Sequence, residues 1–385
     1  MKSKLSDICF YAKGKVNVSG LTDADYISTE NMLPNKGGIT TASSLPSTIQ
    51  TQAYKKDDVL VSNIRPYFKK IWFADFDGGC SNDVLVFRAK EGTDARFLYY
   101  VLADDAFFDY STATSKGTKM PRGDKTAIMQ YEVPHFDLPI QKKIAGILAD
   151  IDDKIALNSN INKNLLEQAL AIYKDWFCDY ALSDGILPEN WKITTIDAIS
   201  SLVTRGIAPK YDDSSDQIVL NQKCIRDHTI DISLSRRHLP KKINEKWISK
   251  GDLLINSTGT GTLGRVAQVW FEANNMTVDS HVTIVRPKDP ILQSYIGFWG
   301  LSHESEIEAQ HTGSTGQTEL PRDRVKAMEL PLPDEDTLSK FNELVIPMTS
   351  TVISNQEENA RLSQLRDALL PKLMSGELDV SDIDL

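Results

Sequence analysis

The sequence predicts a mixed α/β (α+β) fold, in which two similar globular domains are separated by two long antiparallel coiled-coil helices. Two amphipathic stretches, each beginning just after a proline, predict the helices. Short motifs of the first third of the chain recur in the second half, which predicts an internal repeat with pseudo-twofold symmetry. A chain of 385 residues is long enough to give each copy its own core.

The first long helix is predicted over residues 137–183, with its most regular part at Pro139–Trp176. Its apolar residues recur at spacings of three and four, as on one helix face. The heptad a positions are Ile144, Ile151, Asn158, Leu165 and Ile172, and the d positions are Ile147, Lys154, Ile161 and Gln168. Three polar residues at core positions predict a weak coiled coil that needs a specific partner.

The predicted partner is a second long helix over residues 334–378. Its a positions are Val345, Val352, Asn359 and Arg366, and its d positions are Phe341, Met348, Asn355, Leu362 and Leu369. An antiparallel register pairs Ile144 with Leu369, Ile151 with Leu362, Asn158 with Asn355, Leu165 with Met348, and Ile172 with Phe341. A buried asparagine pair can fix the register of two helices. A slip of one heptad, or two ordinary core helices, are the alternatives.

The globular domains are predicted over residues 1–136 and 184–333, and residues 379–385 form an acidic tail. In the first domain, strand-like runs at Val59–Ile64, Lys70–Ala74 and Asp83–Arg88 precede a helix at Ala95–Tyr110. A polar, basic loop follows at Thr112–Lys125. Mixed strands and helices of this kind favour a compact domain with an irregular sheet.

Several segments of the first domain have counterparts about 191 to 201 residues later. The matched pairs are Leu5–Ile8 with Ile196–Ile199, Gly14 with Gly206, Asp57–Val61 with Lys250–Ile255, Phe97–Tyr100 with Tyr295–Phe298, and Met120–Arg122 with Leu320–Arg322. The drift in spacing indicates small insertions between two copies of one unit. Each copy is a globular domain followed by a long helix.

The segment Gly259–Gly264 fits the G-x-G-x-x-G pattern of dinucleotide-binding folds. That fold requires a helix directly after the glycines, but Arg265–Phe271 is β-branched and aromatic and predicts a strand. We therefore interpret the segment as a glycine turn between strands. Its backbone amides are suited to holding DNA phosphates.

Composition and missing motifs exclude several classes of function. No apolar run is long enough to span a membrane, and no signal peptide is visible, so a cytoplasmic protein is expected. The four scattered cysteines predict reduced thiols, and the histidine spacing predicts no metal site. A P-loop, a nucleophile elbow and the Asn/Asp-Pro-Pro-Tyr/Phe motif of adenine methyltransferases are absent from the sequence.

The net charge of −10 argues against a uniformly basic nucleic-acid binder. The basic residues are clustered, however, and a local basic face can bind phosphate on an acidic protein. The clusters are Lys55, Lys56, Arg65, Lys69 and Lys70; Lys116, Lys119, Arg122 and Lys125; Arg236, Arg237, Lys241, Lys242 and Lys246; and Arg322, Arg324 and Lys326.

Taken together, the motifs resemble the specificity (S) subunit of type I restriction-modification systems. The matching segments are Val59–Tyr67, the glycine turn after Leu253–Ser257, Pro134–Pro139 with the Ile-Gln-Lys-Lys-Ile helix entry, Leu330–Pro333, and Arg366–Leu378. At the second helix entry, Asp334-Glu335-Asp336 departs from the family's usual Glu-Gln. The resemblance covers nearly the whole chain.

The resemblance implies that each globular domain is a target recognition domain that reads one half of a split sequence in double-stranded DNA. The helices would act as a spacer and as a docking surface for methyltransferase (modification) subunits, with a separate restriction subunit. This chain would be non-catalytic and would bind no cofactor, because S-adenosylmethionine, ATP and Mg²⁺ would belong to those partners. A two-domain DNA-binding regulator or an enzyme are the alternatives.

Candidate DNA-contacting residues follow from loop placement and repeat equivalence. Arginine, lysine, glutamine and threonine side chains in loops can hold phosphates or contact base edges. The candidates are Arg65, Lys69, Lys116, Lys119 and Arg122 in the first domain, and Thr258, Thr260, Arg265, Gln317 and Arg322 in the second.

Overall fold

The computed structural model describes residues 2–239, 244–259, 261–313, 318–381 and 383. The chain divides into two compact units, one formed by Met1–Ala156 with Asn359–Leu385 and the other by Leu157–Glu358. We call them unit 1 and unit 2. No helix in the described part of the chain is long and apolar enough to cross a membrane. All four cysteines are free thiols.

Unit 1 is built around a four-stranded antiparallel sheet, which we call the main sheet. Its strands lie in the order Cys9–Tyr11, Val84–Ala89, Val59–Ser62 and Ile71–Phe73. A second sheet has the order Lys15–Asn17, Gln50–Tyr54, Gly78–Cys80 and Tyr26–Ile27. The first strand, Lys2–Lys4, pairs antiparallel with Glu132–Pro134. The helices before the long one are Leu5–Ile8, Ala95–Ala103, Asp105–Ala113 and Lys125–Ile128.

Unit 2 repeats this topology. Its main sheet has the order Ser200–Arg205, Val282–Pro287, Leu253–Asn256 and Val266–Gln268, again antiparallel. Its first strand, Lys192–Thr195, pairs with Glu329–Leu332. Smaller ladders join Arg236–Arg237, Ile218–Leu220 and Met276–Val278, and Ile225–Arg226 with Thr229–Ile230. Its helices before the long one are Ile196–Ile199, Gln293–Ser302, Glu304–Ala309 and Arg322–Lys326. The predicted fold class and internal repeat are confirmed.

The two long helices span Leu138–Phe177 and Glu335–Ser375. The predicted ranges, 137–183 and 334–378, are therefore too long at their carboxyl ends. The first helix ends because Tyr180 and Asp184 adopt left-handed backbone conformations on either side of a 3-10 turn. The second ends before Gly376, whose φ is +75°. The limits of the globular domains, residues 1–136 and 184–333, stay a prediction.

Each unit buries its own part of the long helices. In unit 1, Ile144, Leu148 and Leu373 join the core between the helices and the main sheet. In unit 2, Tyr173 and Phe341 do the same and contact each other through their rings. Burying an apolar side chain of this size stabilises a fold by roughly 1.5–3 kcal/mol. The helices are therefore part of both cores.

The predicted helix register is wrong by about one turn. Asn355 Nδ2 donates to Asn162 Oδ1 at 2.8 Å, and Asn158 Nδ2 donates to Glu358 Oε2 at 2.6 Å. The predicted pairing of Asn158 with Asn355 is thus replaced by partners one turn further along. Asn162 also donates to the carbonyl of Val352 at 3.3 Å. A polar layer does lie between the helices, but it consists of amides, a carboxylate and a carbonyl.

The heptad assignment holds only in part along the first helix, where Ile144 and Asn158 are buried as predicted but the d positions Lys154, Ile161 and Gln168 are exposed. The predicted core residue Ile161 is 37 % exposed, whereas Tyr173, outside the predicted stripe, is 1 % exposed. An undistorted helix has 3.6 residues per turn, so its buried face drifts by about 20° per heptad from a strict seven-residue repeat. Asn158, Asn162, Ala169, Tyr173 and Phe177 follow this drift. Ile151, Leu165, Ile172, Met348, Leu362 and Leu369 are only partly buried.

Two further predictions are resolved by local backbone geometry. The helix predicted at Ala95–Tyr110 is broken at Asp104, whose side chain accepts from Ala106 N and caps a second helix. The segment Gly259–Gly264 connects antiparallel strands, as predicted, and Gly264 N donates to Asn256 O at 2.8 Å. The glycine pattern is therefore a turn between strands.

Candidate nucleic-acid interface

A buried ion pair anchors the main sheet of each unit. Arg88 donates to both carboxylate oxygens of Asp58, at 2.7 and 2.6 Å, and Arg286 donates to both of Asp252, at 2.8 and 2.7 Å. Both aspartates are 1 % exposed. Burial raises the pKa of Asp252, and the hydrogen bonds from Arg286 oppose that rise. The pairs occupy equivalent strands, so the loops that leave those strands can be compared directly.

In unit 1, backbone hydrogen bonds hold three loops together beyond the strand Val59–Ser62. Arg65 N donates to Pro121 O at 2.8 Å, and Gly123 N donates to Asn63 O at 3.1 Å. Lys116 and Arg122 exchange backbone hydrogen bonds at 2.8 and 2.9 Å. We call this region, residues 63–70, 81–83 and 112–124, the unit 1 loop cluster. It contains all five candidate residues of the first domain.

Three of the six basic side chains in the unit 1 loop cluster are paired with carboxylates. Lys116 Nζ lies 2.5 Å from Asp124, and Arg122 lies 3.1 Å from Asp83. Lys69 and Lys36 both lie 2.8 Å from Asp105. Burial raises the pKa of Asp105, but the hydrogen bonds from the two lysines hold it below its ordinary value.

The unit 1 loop cluster nevertheless keeps an excess of positive charge, because Asp105 faces two lysines and Lys119 is an additional exposed cation. Lys116 and Arg122 remain 81 % and 55 % exposed despite their partners. Arg65 is partly buried, and its Nε has no hydrogen-bond acceptor among the described residues. The exposed donors are suited to binding phosphate oxygens.

The equivalent region of unit 2 carries different chemistry. Thr258 forms a backbone bridge with Glu319, and its hydroxyl lies 2.8 Å from His281 Nδ1. Arg205 lies 2.5 Å from Glu319 and donates to Leu320 O at 2.7 Å. We call this region, residues 257–259, 261–264, 279–281, 312, 313 and 318–322, the unit 2 loop cluster.

The backbone hydrogen bonds within the two loop clusters correct the predicted match between residues of the two repeats. Gly123 N to Asn63 O corresponds to Leu320 N to Ser257 O, at 2.9 Å. Arg122 therefore corresponds to Glu319, and not to Arg322 as the shared Pro-Arg dipeptide suggested. Arg322 instead begins a short helix and contacts Asp323 at 3.1 Å. The alignment of the two repeats matched the Pro-Arg dipeptides because their residues are identical. Loops tolerate insertions, however, so identical loop residues need not occupy equivalent positions in the paired backbone.

The other candidates of unit 2 are dispersed. Arg265 is partly buried at the far end of the glycine turn, where its carbonyl accepts from Asn256 N at 2.9 Å. Thr260 and Gln317 lie outside the described residues. Of the five candidates in this domain, the structure places Thr258 in the centre of the loop cluster and Arg322 at its edge.

Several residues in the two loop clusters, or in contact with them, were not predicted. They are Asp83, Asp105, Arg205, His281 and Glu319. Asp83 and His281 are equivalent, because Asn63 N donates to Asp83 O and Ser257 N donates to His281 O, both at 2.8 Å. Both precede a buried strand of the main sheet, at Val84 and Val282. A search for polar residues at the start of repeated strands would have found them.

The described residues contain no group of three or more histidine, cysteine or acidic side chains able to hold a metal ion. What the loop clusters offer is a set of guanidinium, ammonium, hydroxyl and imidazole groups near the surface. Such groups donate to phosphates and to base edges. The prediction that these residues contact DNA stays a prediction.

Comparison with known proteins supports one family. The family model described as the type I restriction modification DNA specificity domain matches residues 1–167. The type I restriction enzyme MjaIX specificity subunit of Methanocaldococcus jannaschii is 24 % identical over 76 % of this chain and 71 % of its own length. The HindI specificity subunit of Haemophilus influenzae is 23 % identical over 97 % of this chain and 98 % of its own.

A solved structure has the same fold. The S subunit of a type I restriction-modification system from M. genitalium superposes with a TM-score of 0.63, at 15 % identity, over 97 % of this chain and 96 % of its own. The similarity in sequence and the similarity in fold both extend over nearly the whole chain. The chain is therefore similar in sequence to specificity subunits of type I restriction-modification systems, and it shares the fold of a solved S subunit.

Proposed function

We propose that this chain reads a bipartite sequence in double-stranded DNA, with one loop cluster for each half of the target. The observation that carries the proposal is the repeated main sheet with its equivalent loops. At equivalent positions beside the main sheet, unit 1 carries Arg122 and Asp83, whereas unit 2 carries Glu319 and His281. A repeated scaffold with different loops is suited to reading two different half-sites.

The proposal gives the basic loop residues the task of holding the DNA backbone. Lys116, Lys119 and Arg122 are exposed in unit 1, and each phosphate that they neutralise would steepen the salt dependence of binding. The net charge of −10 makes such local clusters necessary for DNA binding. Base recognition would come from the side chains at the strand ends.

The long helices are proposed to act as a spacer and as a docking surface for methyltransferase subunits. The first helix has 40 residues, which corresponds to a length of about 60 Å. One turn of B-DNA is about 34 Å, so a spacer of this length can separate two half-sites. A restriction subunit is the further proposed partner.

The chain itself is proposed to be non-catalytic. S-adenosylmethionine, ATP and Mg²⁺ are assigned to the partner subunits. Methylation and cleavage are therefore expected only from the assembled complex. The cytoplasm, where such partners and DNA meet, is the proposed location.

The test is reconstitution with the cognate methyltransferase subunit. The purified chain alone should neither methylate nor cleave DNA, whereas the complex should methylate a bipartite site. Methylome sequencing of a strain carrying both genes should give the two half-sites and their spacing. Methyl transfer or cleavage by the chain alone, or a complex that methylates without a bipartite target, would refute the proposal.

A further inference from the structure

An exposed aromatic pair lies at the edge of the unit 1 loop cluster. Tyr67 is 48 % exposed and Phe68 is 38 % exposed, and their ring centroids lie 4.8 Å apart at an interplanar angle of 56°. Both belong to the 3-10 turn Pro66–Phe68, which follows the buried strand Val59–Ser62. Aromatic side chains stabilise a fold most when they are buried. Two adjacent exposed rings therefore offer a surface to another molecule.

The turn that carries the two rings is fixed by an unusual backbone. Arg65 and Lys69, which flank it, have φ angles of +50° and +52°. Asn35 and Lys36 are also left-handed, and their amides donate to the carbonyls of Phe68 and Lys69, both at 2.8 Å. Non-glycine residues rarely adopt this conformation unless the surroundings impose it. The backbone that carries the rings is therefore fixed before any partner binds.

Positive charge surrounds the aromatic pair. Lys69 and Lys36 lie on one side with Asp105 between them, and Lys70 Nζ lies 6.0 Å from the centre of the Phe68 ring. Burial lowers the pKa of Lys70. The backbone hydrogen bond from Arg65 to Pro121 joins the turn to the loop that carries Lys116, Lys119 and Arg122. A partner that matches this surface is negatively charged and also has flat apolar faces.

Resting on the proposed function, we propose that Tyr67 and Phe68 stack on base faces of the first half-site where a base step of the duplex opens. DNA combines a charged backbone with flat bases, so an opened step fits both the rings and the cations around them. A protein partner would fit the rings but would not need the surrounding lysines and arginines. The pair therefore adds a base-contacting element to the residues predicted from the sequence.

The element is confined to the first half-site. In unit 2, the chain after the equivalent strand Leu253–Asn256 forms the glycine turn, whose described residues are Thr258, Gly259, Gly261, Thr262, Leu263 and Gly264. None of these carries an aromatic ring. Removing the rings of unit 1 should therefore weaken the reading of one half-site and leave the other unchanged.

The test uses the full chain in complex with its methyltransferase subunit and three duplexes. One duplex carries the complete target, one a changed first half-site, and one a changed second half-site. The double variant Tyr67→Ala, Phe68→Ala should bind the complete target at least about tenfold more weakly. Its discrimination against the changed first half-site should shrink, while discrimination at the second half-site stays.

Salt dependence separates base contact from phosphate contact. The slope of log K against log salt should be unchanged in the aromatic double variant, whereas Lys119→Gln should reduce it by about one. The variant Phe10→Ala is a matched control, since Phe10 is 41 % exposed on a strand of the same unit away from the loop cluster. It should bind all three duplexes like the wild type.

Other outcomes overturn the inference. Unchanged affinity and discrimination would show that the rings do not contact bases. Loss of assembly with the methyltransferase subunit would show a protein-docking surface instead. If the alanine variant does not fold, Tyr67→Leu with Phe68→Leu keeps apolar bulk without the rings, and should show the same loss. A wild-type complex that methylates no bipartite site would refute the proposed function itself, a failure that is distinct from a loss confined to the aromatic variant.

Discussion

The two units share a scaffold and differ in their loops. Asp58 with Arg88 and Asp252 with Arg286 anchor equivalent strands through the same paired hydrogen bonds. Beyond those strands the chemistry diverges, because Arg122 corresponds to Glu319 and Asp83 corresponds to His281. A position that is cationic in one unit is anionic in the other. The difference teaches that the scaffold sets where the loops lie, while the loop residues set the charges and hydrogen-bonding groups that each unit presents.

The largest expected effect comes from breaking the shared scaffold. Asp58→Asn and Asp252→Asn each leave a partly buried guanidinium without its anion, and each should destabilise its own unit by about 3 kcal/mol. Denaturant unfolding gives the loss, and hydrogen exchange assigns it to a unit. The exposed neighbour Asp57 supplies the control variant Asp57→Asn, with little expected change. A loss in one unit only would show that the two anchors are not equivalent.

The next largest effect tests the position at which unit 1 carries the cation Arg122 and unit 2 carries the anion Glu319. Arg122→Ala should weaken binding to the complete target about tenfold and reduce the salt slope by about one, because it removes a cation from the unit 1 loop cluster. Glu319→Ala should not weaken binding, since it removes an anion that faces Arg205. Fluorescence anisotropy over a range of salt concentrations measures both. An equal loss in the two variants would mean that these positions act alike.

A smaller effect concerns the entries of the long helices. Asp334 accepts hydrogen bonds from Thr337 N at 3.0 Å and from Trp191 Nε1 at 3.0 Å. These bonds lower the pKa of Asp334 to about 2, and the backbone hydrogen bond from Thr337 has the largest effect. Asp334→Ala should lower stability by about 1 kcal/mol at neutral pH. Asp137→Ala is the counterpart in unit 1, where Asp137 accepts from Ile140 N at 3.1 Å.

The effect of Asp334 should depend on acidity in a defined direction. Its carboxyl group has a pKa of about 2 in the folded chain and about 3.9 when unfolded. Its stabilising effect is thus fully present above about pH 4, and is lost as the pH falls toward 2. The stability difference between the wild type and Asp334→Ala should shrink over this interval. A difference that stays constant down to pH 2 would show that the charge is not involved.

The smallest effects are expected between the paired helices. Double-mutant cycles should give coupling energies of about 0.5–1 kcal/mol for Asn162 with Asn355 in unit 2, and for Asp152 with Arg366 in unit 1. The atoms of the second pair lie 2.9 Å apart and are charged, so its coupling should fall in 1 M salt. The amide pair should be insensitive to salt. Coupling of Asn158 with Asn355 stronger than that of Asn162 with Asn355 would restore the register predicted from the sequence.

The sequence alone was sufficient to predict the helices and strands of the scaffold, because the spacing of apolar residues along the chain reflects which side chains are buried. Both long helices and the strands around Val59 and Leu253 follow from apolar spacing. The register of the helices did not follow, since it depends on which side chains Asn158 and Asn162 meet in three dimensions. The contacts of Asp152 did not follow from the spacing either, since Asp152 accepts hydrogen bonds from Tyr100 at 2.8 Å and from Arg366 at 2.9 Å.

The loop clusters were predicted unevenly for a similar reason. In unit 1 a basic loop with two glycines is visible as composition, and its lysines and arginines do lie together. In unit 2 the comparison relied on a shared Pro-Arg dipeptide, and it missed Glu319 and Arg205. Contacts between loops far apart in sequence depend on backbone pairing, which no local pattern records.

In both units, the pairing of the first and last strands determines whether the globular segment can be replaced as a whole. The first strand of each globular segment pairs with its last, Lys2–Lys4 with Glu132–Pro134 and Lys192–Thr195 with Glu329–Leu332. Each segment therefore starts and finishes at adjacent points, a few ångströms apart across one ladder. A segment closed in this way can be replaced as a whole without changing the distance between its two ends. Exchanging residues 192–332 for another closed segment would keep the hydrogen bonds between the two helices, such as that of Asn355 with Asn162, while replacing the whole unit 2 loop cluster.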